Sequence, residues 1–378
     1  LVAKGYDQIP GVDYTENFAP VVSDVTIRIV LVLTLIFGWE AELVDVETAF
    51  LYGDMDVEIY MDIPEGMEYH ENVNREEDCL ILKKTIYGTA QAARQWWKKF
   101  MNVLTERLGF ERSKADACLL IRQNDYGTVV LCCYVDDGCL FGDRVAIQKT
   151  KEELEKEFTI KQVGELKEYI GVTVKKNGDS LMLSQPDIIA KLIRYFGRDI
   201  AEMKEYKTPM GGGRCIVRPK EDDVLLKNED QSKYRSGVGS LLYLVKHTRP
   251  DLSNAVREMS KVMDGATIAH MKELYRAIKY SIDTRGKELI LWPTRNKKVK
   301  IIAYCDADYA GDKDDRKSIT GYCIFVNGAL VAWKSRGQKT TSLSTCESEY
   351  YSMTEVAQEM LFVLQILRFL SVEVELPM

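Results

Sequence analysis

Apolar and polar positions fall into three zones of different period along the chain. In the first, to about Lys176, the apolar run from Ile27 to Phe37 closes at Gly38 and predicts a buried helix, and Ala41–Val46 then predicts a strand. Trp96, Trp97, Phe100, Val103 and Leu104 share one face of an amphipathic helix expected over Gln95–Leu108, stopped by Gly109. Val129–Val135 and Gly138–Phe141 are apolar runs separated only by Asp136-Asp137, which predicts a β-hairpin with two carboxylates in its turn. The second zone, 177–297, reads as mostly helical, with helices over Gln231–Lys246, Asp251–Met263 and His270–Thr284. Within it, the Gly-rich, charged stretch Thr208–Asp230 reads as a mobile linker. The third zone, 298–378, predicts three strands and one long helix over Thr345–Leu370.

Composition changes this picture little: 46% hydrophobic and 29% charged residues suffice for real cores and exclude a disordered or fibrous chain. The apolar runs are too short to span a membrane, and no signal peptide opens the chain. Nine cysteines without a C-x-x-C pair fit buried thiols in a reducing compartment, so an intracellular protein is expected. The chain opens at Leu1 without a methionine, which reads as a segment of something longer. Charge changes the picture more. The net charge of −7 argues against a nucleic-acid binder, but Glu40–Asp78 alone holds fourteen acidic residues against one basic. The stretch Cys79–Arg122 that follows holds nine basic and three acidic residues. Acidic ligands for metal ions beside basic contacts for a polyanion would produce this pattern, as would ordinary uneven surface charge.

As a bare dipeptide, Asp136-Asp137 is most simply a turn. Its flanks are apolar, however, and Asp45 stands in a second apolar strand, Leu43-Val44-Asp45-Val46. Three carboxylates converging from such strands could hold two divalent cations ~3.5–4 Å apart, activating an attacking hydroxyl and stabilising a departing pyrophosphate. Hard oxygen ligands favour magnesium.

Tyr134-Val135-Asp136-Asp137 resembles the central motif of reverse transcriptases, and its surroundings resemble copia-type retrotransposon Pol polyproteins. The supporting motifs run in the family's order: Leu1–Tyr6 (LVAKGY), Phe18–Val22 (FAPVV), Asp45–Leu51 (DVETAFL), Tyr60–Gly66 (YMDIPEG) and Lys83–Gly88 (KKTIYG). After the hairpin come Gly164–Val174 (GELKEYIGVTV), Tyr234–Tyr243 (YRSGVGSLLY) and Thr248–Asp251 (TRPD). Asp306–Gly311 (DADYAG) and Glu347–Tyr350 (ESEY) resemble the ribonuclease H portion. The resemblance implies an α+β right-hand polymerase of fingers, palm and thumb, followed by a truncated RNase H-like α/β domain. Fingers and palm would occupy 1–176, a helical thumb or connection 177–297, and the N-terminal part of the RNase H-like domain 298–378.

By the same resemblance, Asp45, Asp136 and Asp137 are the catalytic metal-binding carboxylates, with two Mg²⁺ as cofactors and Mn²⁺ as the alternative ion. Phe50 would lie under the nucleotide sugar and exclude a 2′-hydroxyl; read without the resemblance it would be core. Tyr87, Gly88 and Gln91 would contact the incoming base and template, Gly88 permitting close backbone approach. Ala90 and Ala93 depart from the family pattern, which has a basic residue and a proline there. Lys161 is a candidate general acid for the leaving pyrophosphate, or an ordinary surface lysine. Glu168–Val174 resembles the hairpin that grips the primer, and Arg94, Lys98 and Lys99 could line the duplex channel. Asp306 and Glu349 match the first two ribonuclease H carboxylates, with Glu347 a neighbouring alternative to Glu349. The RNase H portion is expected to be inactive, because the strand carrying a third carboxylate does not follow the long helix. The implied activity is RNA-directed DNA synthesis. Its partners are an RNA or DNA template–primer, deoxynucleoside triphosphates and other Pol segments, with no membrane. The implied location is cytoplasmic, in a virus-like particle, and nuclear. The rival reading is a degenerate or domesticated copy that only binds nucleic acid or protein.

Overall fold

The apolar run of residues 27–37 lies in helix α1 (Asp24–Phe37). It begins three residues earlier than its apolar stripe, because Asp24 favours the positive helix N-terminus and the Ser23 hydroxyl accepts the Val25 N–H at 3.3 Å. The computed structural model describes residues 1–69, 73–212, 215–376 and 378. These divide into two compact units, Leu1–Ile27 with Trp39–Leu166, and Arg28–Gly38 with Lys167–Met378.

In the first unit, β1 (Glu40–Val46) is followed by a hairpin of β2 (Asp54–Asp62) and β3 (Cys79–Lys84). Helix α2 (Ala92–Asn102) runs on into a single π-turn, Val103–Arg107, and Gly109 at φ +71° ends the run. Next come β4 (Glu111–Arg112), β5 (Leu119–Asn124), β6 (Gly127–Tyr134), β7 (Asp137–Gly142), α3 (Arg144–Leu154) and β8 (Ile160–Glu165). Six strands form one antiparallel sheet in the order β4-β5-β6-β7-β1-β8. The central strands β6 and β7 bury Val130, Leu131, Cys132, Cys139, Leu140 and Phe141, and α3 covers them with Ile147 and Leu154. Being buried on both faces, they read as unbroken apolar runs rather than as alternation.

Much of the acidic run does not line a pocket. Asp54, Asp56, Glu58 and Asp62 alternate along β2 on its exposed face, while Met55, Val57, Ile59 and Met61 turn the other way.

In the second unit, β9 (Glu168–Tyr169), β10 (Val172–Asn177) and β11 (Ser180–Ser184) precede α4 (Pro186–Ile200), α5 (Asn228–His247), α6 (Ser253–Ser260) and α7 (Ile268–Asp283). Strand β12 (Leu289–Leu291) returns to β11 and completes a sheet of order β12-β11-β10-β9. The zone 177–297 is mostly helical as its sequence suggests, and it also holds β11 and β12, strands of five and three residues that leave little periodic signal. Leu192, Phe196, Tyr234, Leu241, Val256, Leu274 and Ile278 form the helical core.

The stretch 208–230 is not a free linker. Ile216 is buried with its N–H on the Glu258 carboxylate at 2.7 Å, and the Leu226 N–H reaches the Ala266 carbonyl at 2.8 Å. Gly213 and Arg214 of that stretch lie outside the described residues. Finally β13 (Ile301–Asp308), β14 (Ile319–Val326) and β15 (Ala329–Gly337) form an antiparallel meander, and α8 (Thr345–Phe369) packs on β13 and β14. Ser344 caps α8 by accepting the Glu347 N–H at 3.1 Å.

Candidate active site

The β6–β7 hairpin pairs Tyr134 with Asp137, so its two-residue turn is Val135-Asp136, and Asp137 is the first residue of β7. The sequence expectation placed both aspartates in the turn. The difference matters, because it puts Asp137 in the ladder, directly opposite Asp45 of β1. On its other side Asp45 pairs with Lys161 of β8. Directly opposed residues of antiparallel strands project to the same face, so Asp137, Asp45 and Lys161 form a cross-strand row at one end of the sheet. Asp136 stands beside that row in the turn. Its carbonyl accepts the Val46 N–H at 3.3 Å, which fastens the turn to β1.

Val135 is held at φ +56°, a left-handed conformation that a β-branched residue rarely adopts. Positive φ at the first central residue is usually met by glycine. The Trp96 indole N–H of α2 donates to the Val135 carbonyl at 2.7 Å. Trp96 is fully buried, stacked on Phe100 and edge-on to Phe158. The aromatic face of α2 therefore does more than fill the core: it fixes the backbone that carries the aspartates. Sequence reasoning had placed Trp96 only on an apolar helix face.

The carboxylates of the row feel one another's charge. Burial, then the charges of Asp136 and Asp45, push the Asp137 carboxyl up to about 6. Burial and Asp136 also raise Asp45, an effect that Lys161 only partly offsets. The Tyr87 hydroxyl is raised by burial and by the charges of Asp136 and Asp45. The Phe50 and Tyr87 rings lie 4.8 Å apart, tilted by 44°. The structure thus brings together Asp45, Asp136, Asp137, Lys161, Tyr87 and Phe50.

Gly88 and Gln91 face elsewhere. Gly88, at φ +95°, is closely overlaid by the chain's own first residues: a Cβ there would sit 2.1 Å from the Ala3 carbonyl oxygen. The Ala3 N–H donates to the Tyr87 carbonyl at 2.7 Å. Gln91 is fully buried and donates to the Asp13 carbonyl at 3.1 Å, while its Oε1 accepts the Gln8 side chain at 3.1 Å. Of the candidate channel residues, Arg94 pairs with Glu16 at 2.7 Å and Lys99 approaches Asp54 at 3.8 Å, while Lys98 is exposed.

Hard carboxylate oxygens held beside like charge, as those of Asp45 and Asp137 are beside Asp136, suit a divalent cation, since a cation would relieve the repulsion. The donor set therefore fits magnesium in chemistry. As placed, the side chains do not close on one point: among the described residues no three His, Cys, Asp or Glu side chains gather as an ion-binding group. The same holds in the second unit. Asp306 is exposed on β13, on the pleat face of Tyr304 and Asp308, whereas Glu349 of α8 accepts the Ala307 N–H at 3.4 Å. Glu347 instead accepts the Leu343 N–H at 2.6 Å, next to the helix cap.

The sheet thus presents aspartates from adjacent strands at one end. Residues 1–212 match the family model described as Reverse transcriptase (RNA-dependent DNA polymerase), and the chain belongs to that family. It is 33% identical over 374 residues, 97% of its length, to the retrovirus-related Pol polyprotein from transposon TNT 1-94 of Nicotiana tabacum. Over its whole length it is 34% identical to the corresponding polyprotein from transposon RE1 of Arabidopsis thaliana. It is 25% identical, over 94% of its length, to the truncated transposon Ty1-A Gag-Pol polyprotein of Saccharomyces cerevisiae. The chain spans 28%, 25% and 30% of these relatives' respective lengths. Among the described residues, no helix is long and apolar enough to cross a membrane.

Proposed function

We propose that the chain is the reverse transcriptase–RNase H segment of a copia-type retrotransposon Pol polyprotein and catalyses RNA-directed DNA synthesis. In this reading residues 1–176 are fingers and palm, 177–297 the helical thumb or connection, and 298–378 an RNase H-like part. The observation that carries it is the cross-strand row Asp137–Asp45–Lys161, with Asp136 and Tyr87 at the same end of the sheet. Asp45, Asp136 and Asp137 would hold two magnesium ions, or manganese in their place, and the bound ions supply Lewis-acid activation of the primer 3′-hydroxyl and charge compensation for pyrophosphate. Lys161, opposite Asp45, would give a proton to the departing pyrophosphate. Phe50, braced by Tyr87, would fill the space that a ribonucleotide's 2′-hydroxyl needs. Gly88 and Gln91 would support the nucleotide loop from within, through their contacts with the chain's first residues. The ligands are an RNA or DNA template–primer and deoxynucleoside triphosphates.

The RNase H-like part supplies Asp306 and Glu349 on elements that present them differently, and we infer that residues 298–378 of this chain do not cleave hybrids by themselves. The test is Mg²⁺-dependent primer extension on an RNA template by the 378-residue chain, with Asp45→Asn as control. Extension that disappears in the control supports the polymerase. Template–primer binding without extension, in the parent as in the control, would return the chain to a binding module. Hybrid cleavage abolished by Asp306→Asn would overturn the inference about residues 298–378.

A further inference from the structure

The β9–β10 hairpin has a two-residue turn, Ile170-Gly171, fixed by the pairing of Tyr169 with Val172. Both turn residues have positive φ, +49° at Ile170 and +64° at Gly171, the pattern of a type I′ turn. The second position suits glycine, but the first is ordinarily Asn, Asp or Gly. An L-residue with a branched side chain is disfavoured there by roughly tenfold. The ladder around the turn is weak in proportion. Strand β9 has two residues and lies at the edge of its sheet. A turn this unfavourable, on so short a ladder, needs support from elsewhere in the fold.

Helix α5 supplies it. The Tyr243 hydroxyl donates to the Ile170 carbonyl at 2.7 Å. A Cβ on Gly171 would come within 3.1 Å of the same hydroxyl oxygen, so the phenol lies directly over the turn. Tyr243 is itself held firmly. Its ring meets His247 edge-on at 4.6 Å, its carbonyl accepts the Gln185 side chain at 3.3 Å, and Gln185 accepts the Thr248 hydroxyl at 2.7 Å. Leu241 and Leu244, on either side of it in α5, are buried in the helical core.

We propose that Tyr243 is a positioning residue: it clamps the strained Ile170-Gly171 turn onto α5, and through that turn holds the primer terminus during synthesis. The second half rests on the polymerase reading above and on the resemblance of Glu168–Val174 to the hairpin that grips the primer. The first half stands on the geometry alone.

Tyr243→Phe keeps the ring against His247 and removes the one hydroxyl. Losing a hydrogen bond of ordinary strength should speed amide exchange at residues 169–174 about fivefold. In primer extension, dissociation from the template–primer should rise about fivefold, while KM for the nucleotide stays unchanged. Ile170→Asn provides a control that a packing role would not move. Asparagine accepts left-handed backbone, so the turn no longer depends on the clamp, and the double variant should return to within about twofold of Ile170→Asn alone. Parental exchange rates in Tyr243→Phe would overturn the clamp, and so would failure of Ile170→Asn to rescue them. Faster exchange with unchanged dissociation from template–primer would overturn the primer-holding half. A parent chain that does not extend primers would overturn the polymerase reading and that half with it, while the exchange measurement still decides whether Tyr243 holds the turn.

Discussion

The β6–β7 hairpin of the first unit and the β9–β10 hairpin of the second share a local device and differ in how much sheet surrounds it. Each turn forces a branched aliphatic residue, Val135 or Ile170, into left-handed backbone, and in each an aromatic side chain from a helix donates to that residue's carbonyl. The donors, Trp96 and Tyr243, lie 39 and 73 residues away in sequence. Neither turn is therefore a product of local preference; tertiary contacts impose both. The β6–β7 turn ends two central strands that are buried along most of their length, and it carries a carboxylate and adjoins another, so its geometry is over-determined. The β9–β10 turn ends a two-residue edge strand and relies more on its aromatic donor. Strain surrounded by a central sheet suits a site that must hold charges still, and strain at an edge suits a support that can be released.

The largest expected effect lies at the first hairpin. Asp136→Asn is nearly isosteric and should leave the circular dichroism spectrum unchanged while lowering Mg²⁺-dependent primer extension by orders of magnitude. Equal extension by parent and variant would remove Asp136 from the site. Next is Phe50→Val, which vacates the space beside Tyr87. In competition assays it should raise ribonucleotide over deoxynucleotide incorporation by roughly a hundredfold, since relief of a steric exclusion exceeds a methylene-sized contact of ~1 kcal/mol. An unchanged ratio would make Phe50 a core residue.

Trp96→Phe tests whether the first turn is as over-determined as its setting suggests. The variant leaves the Val135 carbonyl without its indole donor and a void in the aromatic cluster, at a cost of about 2–3 kcal/mol in urea unfolding. A loss under ~0.5 kcal/mol would show that the sheet alone maintains the turn.

The smallest effect is a contrast in acid. The raised carboxyl of Asp137 binds its proton more tightly in the folded chain, so in metal-free buffer its ionisation lowers stability as pH rises from about 4 through about 6. Asp137→Asn should then stabilise the chain by ~1 kcal/mol at neutral pH, after allowing for its half-exposure to solvent. Asp251 in the second unit behaves oppositely. Burial pushes its carboxyl up, but the Arg249 fork at 2.9 Å, with Tyr280 and Lys287, outweighs that and leaves it below its ordinary value. Its contribution is present above about pH 4 and is lost as pH falls further, and Asp251→Asn should cost ~1 kcal/mol at neutral pH. Parallel pH–stability profiles for the two variants would break the contrast.

The sequence by itself determined the elements and the candidate chemistry wherever the signal is local. The unbroken apolar strands around Asp136-Asp137, the amphipathic face of Trp96 and Phe100, and the stripe of the long last helix all follow from periods of two or 3.6 residues. The ordered motifs made the family legible over nearly the whole chain. What tertiary structure decided is long-range. Register set Asp137 and Lys161 on either side of Asp45, and a turn shifted by one residue moved Asp137 out of the loop and into the ladder. Folding turned Gln91 inward onto Gln8 and Asp13, returned β12 to β11, and sent Trp96 and Tyr243 to turns remote in sequence. Periodicity records only which side of an element is apolar; which strand lies opposite, and which distant donor meets a strained carbonyl, depends on packing between segments that share no local pattern.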